Sequence, residues 1–164
     1  MTDMQAEAFD AIYREYNGLL YGFAYTILHS RALAEDVVQD AFVRALSSLD
    51  LTREKGAVRA WLFTTVRNLS IDCLRRESRS AGEEPLFVIA SSEGERMEQM
   101  VFLNELMAAL EETEQRMLML SASGFRQREI AGMLNLPLGT VSWRMHRLHK
   151  KIDSLRGDTK GEGQ

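Results

Sequence analysis

Between Pro137 and Ile152, six side chains suited to a nucleic acid stand on one short run: Ser142, Trp143, Arg144, His146, Arg147 and Lys150. Arginine and lysine neutralise phosphate, and arginine and serine also hydrogen-bond base edges. Thr140, beside Leu138 and Gly139, lies where a helix N-terminus favours a phosphate. Val141, Met145 and Leu148, four and three residues apart, form the stripe of the same predicted helix that packs inward. A shorter helical run, Gln127 to Leu134, precedes it across the tight link Asn135-Leu136. Ala131 is small where two helices must cross closely. Asn135 tolerates the left-handed backbone of a tight turn, and Pro137 suits the first position of a helix. The pair reads as a helix-turn-helix, a common way to place a helix in the DNA major groove. An ordinary helical hairpin with a solvated basic face has the same pattern.

A second cluster lies on a helix predicted from Val58 to Arg79, where Trp61, Phe63, Arg67, Asn68, Asp72, Arg75, Arg76 and Arg79 surround the stripe Val58, Leu62, Val66, Leu69, Cys73. The arginines suit phosphate, and aromatic rings offer surfaces on which an unstacked base can sit. Trp61 fits a core anchor as well as a DNA edge. A third cluster is acidic. On a helix predicted from Ala32 to Leu49, Glu35, Asp36, Gln39, Asp40 and Arg44 share the face left over by Leu33, Val37, Val38, Ala41, Phe42, Ala45, Leu46 and Leu49. By itself that face reads as solvated.

Enzymatic chemistry is not indicated. No catalytic constellation and no phosphate-cradling glycine loop is present, so no catalytic residue and no cofactor is expected. His146 and His149 stand three apart on a helix, but without an acidic or cysteine partner nearby they do not make a metal site. The single cysteine, Cys73, excludes an internal disulfide and belongs with the buried stripe.

The elements that must position these groups are all helical. Helix formers dominate and only two prolines occur among 164 residues. From Glu7 to Leu28 one helix or two is expected, with Phe9, Ile12, Tyr13, Tyr16, Leu19, Leu20, Phe23, Ala24, Ile27 and Leu28 inward. Residues 80–96 lose the periodicity and read as a linker, with an apolar run from Leu86 to Ile89. Helices are expected again at Met97–Leu110 and Glu112–Ser121, and residues 156–164 read as a disordered tail. The fold expected is therefore all-α, with two small helical domains at 1–79 and 97–155. No apolar run reaches spanning length and no signal peptide is visible, which predicts a cytoplasmic protein with no membrane insertion.

The net charge of −4 hides an uneven distribution. Residues 59–80 carry net +3 and residues 121–152 net +5, while residues 1–58 carry −4 and residues 81–120 carry −7. Two basic segments separated by acidic ones suggest two nucleic-acid contacts, with acidic surface left for a protein partner. A stand-alone helix-turn-helix regulator, the rival reading, needs only one.

Four blocks carry a resemblance: Ile12–Ala24, Ala34–Ala45, Arg59–Arg76 and Arg128–Val141. In this order and spacing they resemble the extracytoplasmic-function subgroup of the sigma-70 family, the detachable promoter-recognition subunits of bacterial RNA polymerase. The resemblance covers nearly the whole chain, from about Phe9 to Ile152. It implies core RNA polymerase (its β′ and β subunits) and promoter DNA as partners, with an anti-sigma factor as a further candidate. Asp36, Gln39 and Asp40 would then meet basic groups on a coiled coil of the β′ subunit. Trp61, Arg67, Asn68, Asp72, Arg75 and Arg76 would read and help open the −10 element, with the loop Asp50–Gly56 where the family captures a flipped-out base. Thr140, Ser142, Trp143, Arg144, His146 and Arg147 would meet the −35 element. The chain departs from the family pattern at Trp143, which is bulky at a usually small position. It would pack on a thymine methyl or a sugar, or alter the docking angle.

Overall fold

Thr2 opens the first helix. Its hydroxyl accepts the amide of Gln5 while the Gln5 side chain accepts the amide of Thr2, a reciprocal cap. Helix α1 (Asp3–Leu28) thus begins four residues before the expected start. It ends at His29, whose left-handed backbone (φ 52°) lets its amide reach the Tyr25 carbonyl. The computed structural model describes residues 2–77 and 105–161. The chain divides into two compact units, Met1–Glu95 and Arg96–Gln164.

In the first unit, α1, α2 (Arg31–Ser48) and α3 (Lys55–Glu77) each pack against the other two. Ser30 caps α2 by accepting the Leu33 amide. The core is dense in apolar groups: Leu20, Phe23, Val38, Leu62, Phe63 and Val66 are buried, as are the small Ala24 and Ala41. Phe63 sits 5.6 Å from the Phe23 ring and edge-on to Tyr16 at 6.3 Å. Each leucine, phenylalanine or valine among them contributes about 1.5–3 kcal/mol by leaving water. Cys73 lies in the buried stripe with Leu62, Val66 and Leu69.

Two residues expected inward are not. Tyr13 is 42% exposed and Leu46 is 43% exposed. Tyr13 packs part of its ring on Phe42, at 5.0 Å, and on Phe9, at 5.9 Å, and leaves the remainder to solvent. Leu46 lines an open groove with Gln5, Leu49 and Leu51, where the apolar stripe of α2 outruns its cover. The turn between α2 and α3 is held by Asp50, whose Oδ1 accepts the Thr52 amide (2.9 Å) and hydroxyl (2.6 Å). Lys55, at the start of α3, pairs with Glu15 of α1 at 2.7 Å.

The second unit holds α4 (Glu112–Ala122), α5 (Gln127–Leu134) and α6 (Leu138–Gly161). Residues 105–108 are helical too, and Gln115 joins them to α4 by donating to the carbonyls of Met107 (2.7 Å) and Leu110 (3.3 Å). Gly124 takes a φ of 92° in the turn after α4. Asn135 ends α5 in the left-handed conformation (φ 55°), as expected of it. Pro137 stands one position earlier than expected: its carbonyl accepts the Val141 amide, so the helix proper begins at Leu138. Val141, Met145 and Leu148 are buried, as are Met117, Leu120, Ile130 and Ala131.

Helix α6 runs to Gly161, so residues 156–161 of the expected disordered tail are helical. No proline interrupts them, and half-buried Ile152 and Leu155 continue the stripe past Leu148. The linker reading for 80–96, the apolar run Leu86–Ile89 within it, Arg79, and the start of the helix expected from Met97 lie outside the described residues. The fold is all-α, with no strand among the described residues. No described helix is long and apolar enough to cross a membrane.

Candidate nucleic-acid and partner interfaces

Asp36, Gln39 and Asp40 all stand exposed on one side of α2, because residues three and four apart share a helix face. Asp40 accepts Arg44 Nε at 3.1 Å and Nη2 at 3.4 Å, a solvent-exposed pair one turn apart. Asp36 and Asp40 also border a groove between α2 and α3, lined by Leu33, Val37, Leu69, Cys73 and Arg76. The acidic face and the basic end of α3 therefore meet along one groove. Sequence reasoning treated them as separate, since nothing local in either segment encodes which helix packs beside which.

On α3, Asn68, Asp72, Arg75 and Arg76 are exposed, and Trp61 and Arg67 are half-buried. Trp61, Asn68, Asp72 and Arg75 are separated by seven, four and three residues, which puts them on one line along the helix. Arg67 stands roughly a third of a turn away from that line. Arg75 and Asp72 approach to 3.9 Å, so the acid tempers the charge of the line. The structure thus lines up four of the six residues expected to meet the −10 element and leaves Arg67 and Arg76 on its flanks.

The loop before α3 is pre-ordered. Thr52, through its hydroxyl first and its amide second, holds the Asp50 carboxyl below its ordinary range. Glu15 raises Lys55 above its ordinary range, by hydrogen bond and by charge. Burial raises Tyr16.

In the second unit the basic residues of α6 divide in two. Arg144 is half-buried and turned toward Glu111, with Nη1 3.9 Å from its carboxylate. Lys151 donates to both oxygens of Glu114, at 3.0 and 3.2 Å. These two cations face the acidic start of α4. Together with Trp143 and Arg147 they line a small cleft. Trp143 and Arg147, which share that cleft, are exposed, and so are Ser142 and His146 further round α6. The Arg147 guanidinium lies 4.8 Å from the centre of the Trp143 ring. Ser142 Oγ donates to Gln127 Oε1 at 2.7 Å, tying the second helix of the motif to the first turn of the one before it. Thr140 is half-buried.

Glu111, Glu114 and Lys151 had no part in the sequence reading. Glu114 and Lys151 are 37 residues apart, and no periodicity links them. Gln127 was visible only as the start of the shorter helical run. Among the described residues no group of histidine, cysteine and acidic side chains is arranged to hold a metal ion.

Comparison with known proteins follows the same two units. The family model for sigma-70 region 2 matches residues 12–80, and that for sigma-70 region 4 matches residues 103–152. The ECF RNA polymerase sigma factor SigL of Mycobacterium tuberculosis (strain H37Rv) is 30% identical over 166 residues, covering 93% of this chain and 89% of that one. The ECF RNA polymerase sigma factor EcfG of Rhodopseudomonas palustris is 29% identical over 143 residues, covering 83% and 78%. Among solved structures, the sigma factor RpoE of Bartonella quintana, crystallised with the anti-sigma factor NepR, shares the fold with a TM-score of 0.64 at 23% identity. That match covers 90% of this chain and 95% of the other.

Proposed function

The chain belongs to the extracytoplasmic-function sigma factors of the sigma-70 family, and from that premise we propose how its surfaces divide the work of promoter recognition. It is an alternative sigma factor, which binds core RNA polymerase and directs promoter recognition in DNA-templated initiation. The residue assignments are our own reading. Asp36, Gln39 and Asp40 dock on basic groups of the polymerase. The α3 line of Trp61, Asn68, Asp72 and Arg75, flanked by Arg67 and Arg76, meets the −10 element. The outward face of α6, with Thr140, Ser142, Trp143, His146 and Arg147, meets the −35 element. Arg144 supports that face from its flank.

The observation that carries this division is the separation of the charges. The acidic face of α2 is exposed and carries no buried partner, whereas Glu111 and Glu114 of the second unit are drawn against α6. An exposed acidic row with one surface ion pair adds little to stability, and complementary charge on a partner gives it orientation and on-rate. Two modest DNA contacts on separate units become one tight contact once the polymerase holds both, through effective concentration. The chemistry of RNA synthesis stays with the polymerase, and this chain works beside it in the cytoplasm. An anti-sigma factor is a further partner, by analogy with the Bartonella relative solved in such a complex.

The test is association with core polymerase, followed by fluorescence anisotropy of the labelled chain. Asp36→Arg is expected to weaken association at least tenfold with the helical content unchanged. Unchanged association would remove the α2 face from the interface.

A further inference from the structure

Trp143 is 58% exposed, the most exposed large apolar side chain among the described residues of its unit. Its position is not accidental to the fold. With Val141, Met145 and Leu148 inward, a helix of 3.6 residues per turn points Trp143 almost directly away from the core, in the second turn of α6. In a helix-turn-helix the N-terminal residues of the second helix are the ones that reach base edges. Trp143 therefore occupies the centre of the reading face, with Ser142 and His146 on one side of it and Arg147 on the other.

An indole there has a narrow chemistry. It has one hydrogen-bond donor and no acceptor, so it cannot make the two-point contact by which arginine reads guanine or asparagine reads adenine. Its large apolar surface is matched in the major groove by one group, the C5 methyl of thymine. Arg147 lies over the ring at 4.8 Å, a contact that favours one orientation of the indole and leaves its remaining surface for the DNA. Ser142 is engaged with Gln127 and does not compete for the same base.

We propose that Trp143 is a specificity-determining residue of this chain and reads a thymine C5 methyl in the −35 element. The proposal rests on the assignment of α6 to the −35 element, and the experiment separates the two. Promoter fragments are first selected from a genomic library by the holoenzyme. Each thymine on either strand of the −35 element is then replaced, one at a time, by deoxyuridine, which removes the methyl and nothing else. Open-complex formation is measured with holoenzymes carrying the wild-type chain, Trp143→Ala or Trp143→Phe.

At one position the wild-type holoenzyme is expected to lose about fourfold in affinity, the worth of one buried methyl. Trp143→Ala is expected to show no loss at that position, and Trp143→Phe a partial one. Indifference to deoxyuridine at every position, or a −35 element without an A·T pair, overturns the proposal while base-pair substitutions there still abolish binding. A methyl dependence that survives in Trp143→Ala also overturns it. Open complexes indifferent to the whole −35 element overturn the assignment of α6 itself.

Discussion

Lys151 of α6 donates to both carboxylate oxygens of Glu114, at 3.0 and 3.2 Å, and the Glu114 side chain is only 8% exposed. Glu114 also accepts the Glu111 amide at 3.4 Å, so one carboxylate caps α4 and anchors α6. Removing the lysine strands a nearly buried charge, which costs more than the ion pair itself contributes. Lys151 is partly solvated, and screening reduces the effect. Lys151→Met is expected to destabilise the C-terminal unit by about 1–2 kcal/mol in chemical denaturation, and Lys151→Arg by less. A neutral Lys151→Met would show that the pair does not position the recognition helix.

The two arginines of α6 are expected to behave differently on DNA. Arg147 is exposed on the outward face, while Arg144 is half-buried and turned toward Glu111. Arg147→Ala should lower promoter affinity severalfold. If its contact is a phosphate, the slope of log affinity against log salt should fall by about one. Arg144→Ala should change affinity less and leave the slope nearly intact. Equal slopes and equal losses for the two variants would contradict this division.

On α2, the exposed Asp40–Arg44 pair predicts a separation of stability from function. Arg44→Ala should change unfolding free energy by no more than about 0.5 kcal/mol. Asp40→Asn should be equally mild in stability yet weaken association with core polymerase. Thermal melts and anisotropy on the same preparations make the comparison. A large loss of stability in Asp40→Asn would return that face to a structural role.

The Asp50 turn carries a pH signature. Its carboxyl is held below the ordinary value of 3.8 by the Thr52 hydroxyl and amide. A depressed folded-state value means a contribution that is present above about pH 3.8 and lost as pH falls through the lower, folded value. Thr52→Val removes the larger cause, so the Asp50 titration followed by carboxyl NMR should move up toward 3.8. No movement would mean the turn is not held by that hydroxyl.

Much of this was legible along the chain because it is local. The stripes Val141, Met145, Leu148 and Leu62, Val66, Leu69, Cys73 follow from helical period alone, and the turn at Asn135 from the ease with which asparagine takes the left-handed backbone. The opposite holds for whatever depends on which element lies beside which. The Glu111 and Glu114 contacts to α6 and the groove joining Asp36 to Arg76 arise from packing between distant segments. The exposure of Tyr13 and Leu46 has the same origin, since a stripe reports what a helix offers and not how far its neighbours reach. The helical residues 156–161 were missed for a different reason: charged and glycine-containing sequence weakens a helix without breaking it once the preceding turns are packed.

Under the proposed division of labour, promoter recognition needs polymerase and both units together. The direct measurement is in vitro transcription with purified core polymerase on genomic fragments, with and without the chain, alongside duplex binding by the chain alone. Specific new transcripts that are lost on Asp36→Arg and on Arg147→Glu are expected, with weak duplex binding by the free protein. Tight, specific duplex binding without polymerase, and no chain-dependent transcript, would contradict it.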